Sequence, residues 1–224
     1  MNVSLKEKTY DIIKSKIISC EYAPNTYINE KQLCEELDVS RTPVRDALSR
    51  LEQEQLVTII PKKGVLVSPI TINEINNIFE ARLLFEPYII STYGTRVDQE
   101  ILSKLNILLE DYKNNINDAS VVFSLDDEFH QVIIELCQNK YLLQLYSNIY
   151  SQNARVRIVS GSFKKERLIE THKEHCEIVK LLVKMDYEGA AQVMREHLLN
   201  AKETAFQTIF DNETIFDNDI KIDY

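Results

Sequence analysis

The hydrophobic period changes once, near residue 55, and that change restricts the fold more than any other feature of the chain. From Leu5 to Cys20, apolar Tyr10, Ile13, Ile17 and Cys20 recur at steps of three and four, the spacing of one helix face. A short helix over residues 30–37 follows the Pro24-Asn25 loop, with Leu33 and Leu37 facing inward. After Asp38-Val39-Ser40, a third helix over residues 42–54 repeats the pattern with Val44, Ala47, Leu48 and Leu51. Thr42 suits its N-cap and Pro43 its first helical position, where a missing N–H costs nothing. LVTII (56–60) and VLV (65–67) are then β-branched runs flanking Pro61-Lys62-Lys63-Gly64, which predicts a hairpin. Three helices and a hairpin in that order make a winged helix-turn-helix.

Beyond Ser68-Pro69-Ile70 the text is helical. The 224 residues hold only 4 Gly and 5 Pro, too few for a turn-rich β fold. Thr71-Ile72-Asn73-Glu74 is a capping box that opens a helix reaching Tyr93. Gly94 is the expected C-cap and Asp98 the next N-cap, with further helices over 98–114, 119–138, 140–159, 165–184 and 187–209. The expected fold is therefore mostly α: an N-terminal winged helix-turn-helix (residues 1–68) joined to a C-terminal antiparallel six-helix bundle (69–210). An acidic, flexible tail (211–224) completes the chain.

Composition narrows the function. No run approaches the ~20 apolar residues of a membrane span, and MNVSLKEKTYDIIKSK has no apolar signal-peptide core. Cys20, Cys34, Cys137 and Cys176 form no CxxC pair, as in a cytoplasmic protein with reduced thiols. The net charge of −9 is unevenly divided. Residues 1–70 hold 10 basic and 10 acidic residues, whereas 71–224 hold 16 basic and 25 acidic. A neutral first third can still set its cations on one face, while an acidic remainder is repelled by phosphate.

The apolar stripe of the third helix decides which side faces out. Arg41, Arg45 and Ser49 lie opposite it at steps of four, so both guanidinium groups can enter a major groove and bond guanine O6 and N7. Lys31 starts the preceding helix within reach of phosphate or a base edge. Lys62, Lys63 and Gly64 form the wing tip, where the lysines add phosphate contacts and the glycine allows close backbone approach. The expected partner is double-stranded operator DNA.

VSRTPVRDALSRLEQEQLV, followed by PKKGVLV, resembles the winged-helix signature of the GntR family of bacterial regulators across residues 5–67. The resemblance implies that Lys31, Arg41, Arg45 and Gly64 contact DNA and that Thr42 touches phosphate. Two positions depart from the family pattern: Gln55 stands where Gly is usual, and Lys31 where Arg is frequent.

Three of the four histidines form a second pattern. LDDEFH places Asp126 and His130 at i, i+4 on one helix face beside the stripe Val122, Leu125, Phe129, Val132 and Leu136. His175 and His197 sit on two later helices, and a turn over residues 185–189 would fold these back on each other. One carboxylate and three imidazoles suit a divalent metal, zinc foremost, with nickel, manganese or iron as alternatives. Read singly, each histidine is an ordinary core or surface residue. His172 reads as exposed, with an alternative ligand role open, and Asp127 and Glu128 as solvent-facing.

LDDEFH, EHCEI and the later HL resemble the FCD effector domain of the FadR-type branch of the GntR family across residues 72–208, in its shorter, six-helix, vanillate-regulator-like form. That resemblance implies metal ligation by Asp126, His130, His175 and His197. It also implies homodimerisation and a small carboxylate effector, held in part by Arg82 of EARLLFEP. The other reading of Arg82 is an i, i+4 ion pair with Glu86. The expected function is an effector-responsive repressor and not an enzyme. The rival readings are a metal-dependent hydrolase, which would need a general base the sequence does not offer, and a regulator with a purely structural metal.

Overall fold

A computed structural model describes residues 4–159 and 165–216, with backbone alone from 208 onward. Contacts divide these into two compact units: residues up to Thr71 together with Ala154–Val159, and Ile72–Asn153 together with the described residues from 165 on.

The first unit contains α1 (Leu5–Ile18), β1 (Tyr27–Ile28), α2 (Glu30–Leu37), α3 (Arg41–Gln53), β2 (Val57–Ile60) and β3 (Gly64–Val67). Both pairings are antiparallel in the order β1-β3-β2, with Ile28 opposite Val65 and Ile60 opposite Gly64. The two-residue β1 is absent from the sequence reading, because Tyr27-Ile28 alone carries no period. The expected apolar stripes close on one another: Ile13, Ile17, Leu33, Val44, Ala47, Leu51, Val65 and Val67 share one core. Asn29 caps α2 by accepting from the Lys31 N–H at 2.8 Å.

Two boundaries of this unit differ from expectation. Helix α1 ends at Ile18, and Cys20 takes a left-handed φ of 57° instead of continuing the stripe. Helix α3 begins at Arg41 with Ser40 as N-cap, so Thr42 is not the cap and Pro43 occupies the third helical position. Proline is tolerated there because the first-turn N–H groups have no intrahelical acceptor. The shift also places Arg41 inside the first turn. Gln55 lies at φ 61°, the left-handed conformation that glycine adopts without strain. Its N–H and that of Leu56 close the end of α3 on Glu52 and Leu51 carbonyls. Gln55→Gly is therefore expected to stabilise this unit by about 0.5–1 kcal/mol, measured by urea unfolding. A loss of stability would contradict that account.

The second unit contains α4 (Ile72–Tyr93), a 3-10 turn (Gly94–Arg96), α5 (Gln99–Asn114), α6 (Ala119–Glu135), α7 (Lys140–Val159, its last turn falling in the first unit), α8 (Lys165–Val183) and α9 (Tyr187–Phe216). Asp98 and Asp118 cap α5 and α6 through their carboxylates. Gly94 is not a left-handed C-cap. It opens the 3-10 turn, and a Cβ there would stand 2.5 Å from the Tyr187 ring, so close helix packing excludes a side chain. Helix α9 runs through the first residues of the expected flexible tail, and residues 217–224 lie outside the described set. Ile89, Ile90, Leu105, Phe129, Ile133, Ile178, Met194 and Leu198 are among the residues of this unit's core. No helix among the described residues is long and apolar enough to cross a membrane.

Candidate metal centre and nucleic-acid interface

Helix α6 presents Asp126 and His130 one turn apart, α8 presents His175 and α9 presents His197. One ligand atom from each lies within 4.8 Å of all the others. The residues are 9, 3, 0 and 2% exposed, respectively. Nε2 of His130 and of His175 stand 3.9 and 3.7 Å from the Asp126 carboxylate. Ligand atoms ~2.1 Å from a shared tetrahedral ion lie roughly 3.4 Å apart, so the constellation needs little movement to accept one. Two observations test the fit. Nε2 of His130 and both ring nitrogens of His175 are buried without a hydrogen-bond partner among the described residues. Such orphans are costly in a native core unless something else satisfies them.

The surroundings keep two of the rings, His175 and His197, in ligand form. Burial pushes the His175 imidazole well below the ordinary histidine range, and neighbouring His197 adds to the effect. Burial lowers His197 as well, against an opposing hydrogen bond to Glu174. Neutral imidazole is the form that binds metal. The His175 ring lies on Phe129, centroids 4.0 Å apart and planes 8° from parallel.

Sequence reasoning missed the residues behind the ligands. Glu86 of α4 is fully buried, with Oε2 2.6 Å from Nδ1 of His130. Its Oε1 accepts from Arg82 Nε at 2.6 Å and from the Tyr146 hydroxyl at 3.0 Å. Burial opposes ionisation of Glu86, but Arg82 and His130 overcome it and hold the carboxyl far below the usual range. On the other side, Glu174 lies 2.7 Å from Nδ1 of His197 and accepts two bonds from Arg167, at 2.9 and 2.8 Å. Burial opposes ionisation there too, yet the bonds from His197 and Arg167 bring the carboxyl down to about 2. The signal for Glu86 was present as an i+4 partner of Arg82. Nothing local marks Glu174 or Arg167.

Arg82 itself is buried, with Nε on Glu86 and Nη1 on the Asn153 side-chain oxygen at 3.0 Å. The ion pair is thus present. His172 departs from expectation. It is half-buried and outside the four-residue cluster, with Nε2 3.0 Å from the Leu109 carbonyl and its ring 5.6 Å from that of Tyr112. Packing of α5 on α8 covers it, which helix spacing within α8 does not reveal. Glu128 is exposed, as expected, whereas Asp127 is only partly so.

In the first unit, Lys31, Arg41, Lys62, Lys63 and Gly64 line one groove of about 400 Å³, together with Glu30 and Asn29. Arg41 and Thr42 are exposed in the first turn of α3, and the Arg45 side chain is 64% exposed with Nε 2.9 Å from Glu30. Lys31 is 75% exposed, with a loose 3.5 Å contact to Glu35. The wing tip turns at Pro61-Lys62, with Lys62 at φ 66° and the Lys63 N–H bonding the Ile60 carbonyl at 3.1 Å. Gly64, at φ 113°, would bring a Cβ to 3.1 Å from the Ile28 carbonyl, so β1 requires glycine there independently of DNA.

Comparison with known proteins agrees with this division. Residues 5–67 match the gntR family of bacterial regulatory proteins and residues 77–200 match the FCD domain. The chain is similar to the Nta operon transcriptional regulator of Aminobacter aminovorans, at 30% identity across 81% of this chain and 85% of that one. It is also similar to the gluconate operon transcriptional repressor of Bacillus licheniformis, at 27% identity across 75 and 72%. Its fold is that of a GntR transcriptional regulator from Rhodococcus sp. RHA1, with a TM-score of 0.78 at 22% identity, covering 92% of this chain and 99% of the other. These relatives are transcription regulators and not enzymes. A helix-turn-helix unit followed by a helical domain, each matched in its own right, places the chain in the GntR family of transcription regulators, with a C-terminal FCD domain.

Proposed function

We propose that this chain is a metal-dependent, effector-controlled repressor. Asp126, His130, His175 and His197 hold one divalent ion, zinc foremost. The observation that carries this reading is the convergence of four ligand atoms from three helices around imidazole nitrogens that are otherwise orphaned. When bound, the ion supplies Lewis acidity and a coordination position for an incoming donor. The residues of the chain orient the rings, keep His175 and His197 neutral and exclude water. The effector is a small organic acid bound at or near the ion. A regulator of the gluconate operon among the relatives fits that class. Arg82 is the cation on the same side, but Glu86 and Asn153 already engage its Nε and Nη1. The ion is accordingly the main anchor for a carboxylate.

Two chains pair, and their winged units read two half-sites of operator DNA. Lys31, Arg41, Thr42, Arg45, Lys62, Lys63 and Gly64 form the contact surface. Effector binding weakens operator binding by favouring a different arrangement of the paired chains.

Protein purified without chelator is expected to carry about one divalent ion per chain by plasma mass spectrometry, and an Asp126→Ala, His175→Ala double variant to carry almost none. Stoichiometric metal in that variant would discredit the ligand set. Absence of metal from the parent protein, together with no uptake on adding zinc, would remove the metal from the mechanism.

A further inference from the structure

Two of the three imidazoles at the cluster are backed by a carboxylate, the fully buried Glu86 and the partly buried Glu174, and each carboxylate is backed by an arginine. A carboxylate with an ionised partner is an acceptor only, so Nδ1 of His130 and of His197 must be the donors in their short bonds to Glu86 and Glu174. That fixes the tautomer: Nδ1 carries the proton and Nε2 carries the lone pair. We infer that Glu86 and Glu174 are positioning residues of the metal centre, which lock His130 and His197 with Nε2 facing a common point. The inference rests on the metal-binding reading above and adds the means by which the site is built before the ion arrives.

The arginines complete the argument. Arg82 on Glu86, and the two-bond contact of Arg167 with Glu174, hold each carboxylate in place behind its ring. Each carboxylate is thereby fixed where it accepts from one ring nitrogen. This assigns Arg82 to the metal centre through Glu86, as the counter-charge in a chain of Asn153, Arg82, Glu86 and His130. His175 has no such support. Its ring stacks on Phe129 with the Tyr112 ring edge-on at 6.4 Å, and its nitrogens have no hydrogen-bond partner among the described residues. Two rings are thus held by hydrogen bonds and the third by packing.

The test uses the full-length protein and cobalt(II) as the probe. Nitrogen-15 NMR of the metal-free parent is expected to show His130 and His197 as Nδ1–H tautomers. Nε2–H at both would overturn the inference whatever the metal result. Cobalt titration, followed by its visible absorption, should show binding to the parent and 10–100-fold weaker binding to Glu174→Ala, the range typical of lost outer ligand support. Glu174→Gln should recover part of the loss, because its amide oxygen can still accept. Glu86→Gln should weaken binding similarly. Glu174 is the safer site, since its side chain is partly exposed and Arg167 keeps Glu170 3.8 Å away when Glu174 is removed. Parent-like affinity in Glu174→Ala and Glu86→Gln, with cobalt bound by the parent, would overturn the positioning role and leave the metal centre standing. Failure of the parent to bind cobalt would overturn both.

Discussion

His175→Phe is expected to abolish metal-dependent stabilisation while making the metal-free protein more stable. The parent ring is fully buried, stacked face-to-face on Phe129, and has two nitrogens without hydrogen-bond partners among the described residues. Each unsatisfied buried polar group costs about 1–3 kcal/mol. Phenylalanine keeps the stack and removes that cost, though its larger ring returns part of the gain as crowding. A net rise of about 1 kcal/mol in the metal-free state follows. The parent should behave in the opposite way: with zinc at a hundred times its Kd, linkage predicts about 2.7 kcal/mol of stabilisation. For a protein of this size that is a Tm increase of roughly 5–10 °C. Differential scanning calorimetry of both proteins, with and without zinc, measures all four values. A variant that still gains stability from zinc would remove His175 from the ligand set. A metal-free variant clearly less stable than the parent would show that the imidazole has a partner in solution.

Arg45→Ala is expected to weaken operator binding by about 5- to 150-fold, corresponding to the ~1–3 kcal/mol of one lost bidentate base contact. The side chain projects from α3 opposite the buried residues Val44, Ala47 and Leu48, and it forms an exposed pair with Glu30. Such pairs are worth at most about 1 kcal/mol, so exchanging Glu30 for a base edge is inexpensive. The loss should fall on operator DNA and much less on random sequence. Lys62→Ala and Lys63→Ala, at the wing tip, should weaken both targets alike and reduce the salt dependence by about one counterion each. Fluorescence anisotropy titrations at several salt concentrations separate the two patterns. Equal weakening on both targets by Arg45→Ala would make it a phosphate contact and leave base reading to its neighbours.

Much of this architecture was legible beforehand because it is encoded locally. The stripes on α1 and α3 state which face is buried, and burial of Ile13, Ile17, Val44 and Leu51 follows from them. Asp126 and His130 share a face because an i, i+4 spacing allows nothing else on a helix. The errors came where a boundary depends on a neighbour. Gly94 was expected to supply a left-handed cap, and instead leaves room for Tyr187, distant in sequence. His172 was expected to be exposed, but α5 covers it with Tyr112. Ser40, not Thr42, precedes α3; both are good N-cap residue types, and no side-chain bond sets Ser40 apart.

The amino-acid order alone determined the helical stripes, the hairpin and its glycine, the outward arginines of α3 and the inventory of one aspartate and three histidines, because helix and strand periods act over a few residues. Only the tertiary structure decided that α6, α8 and α9 bring those four ligands within 4.8 Å, and that Glu86 and Glu174 stand behind two of them. Those contacts join residues 23 to 44 positions apart, and the packing of buried helix faces, rather than any local rule of chain geometry, sets their distances.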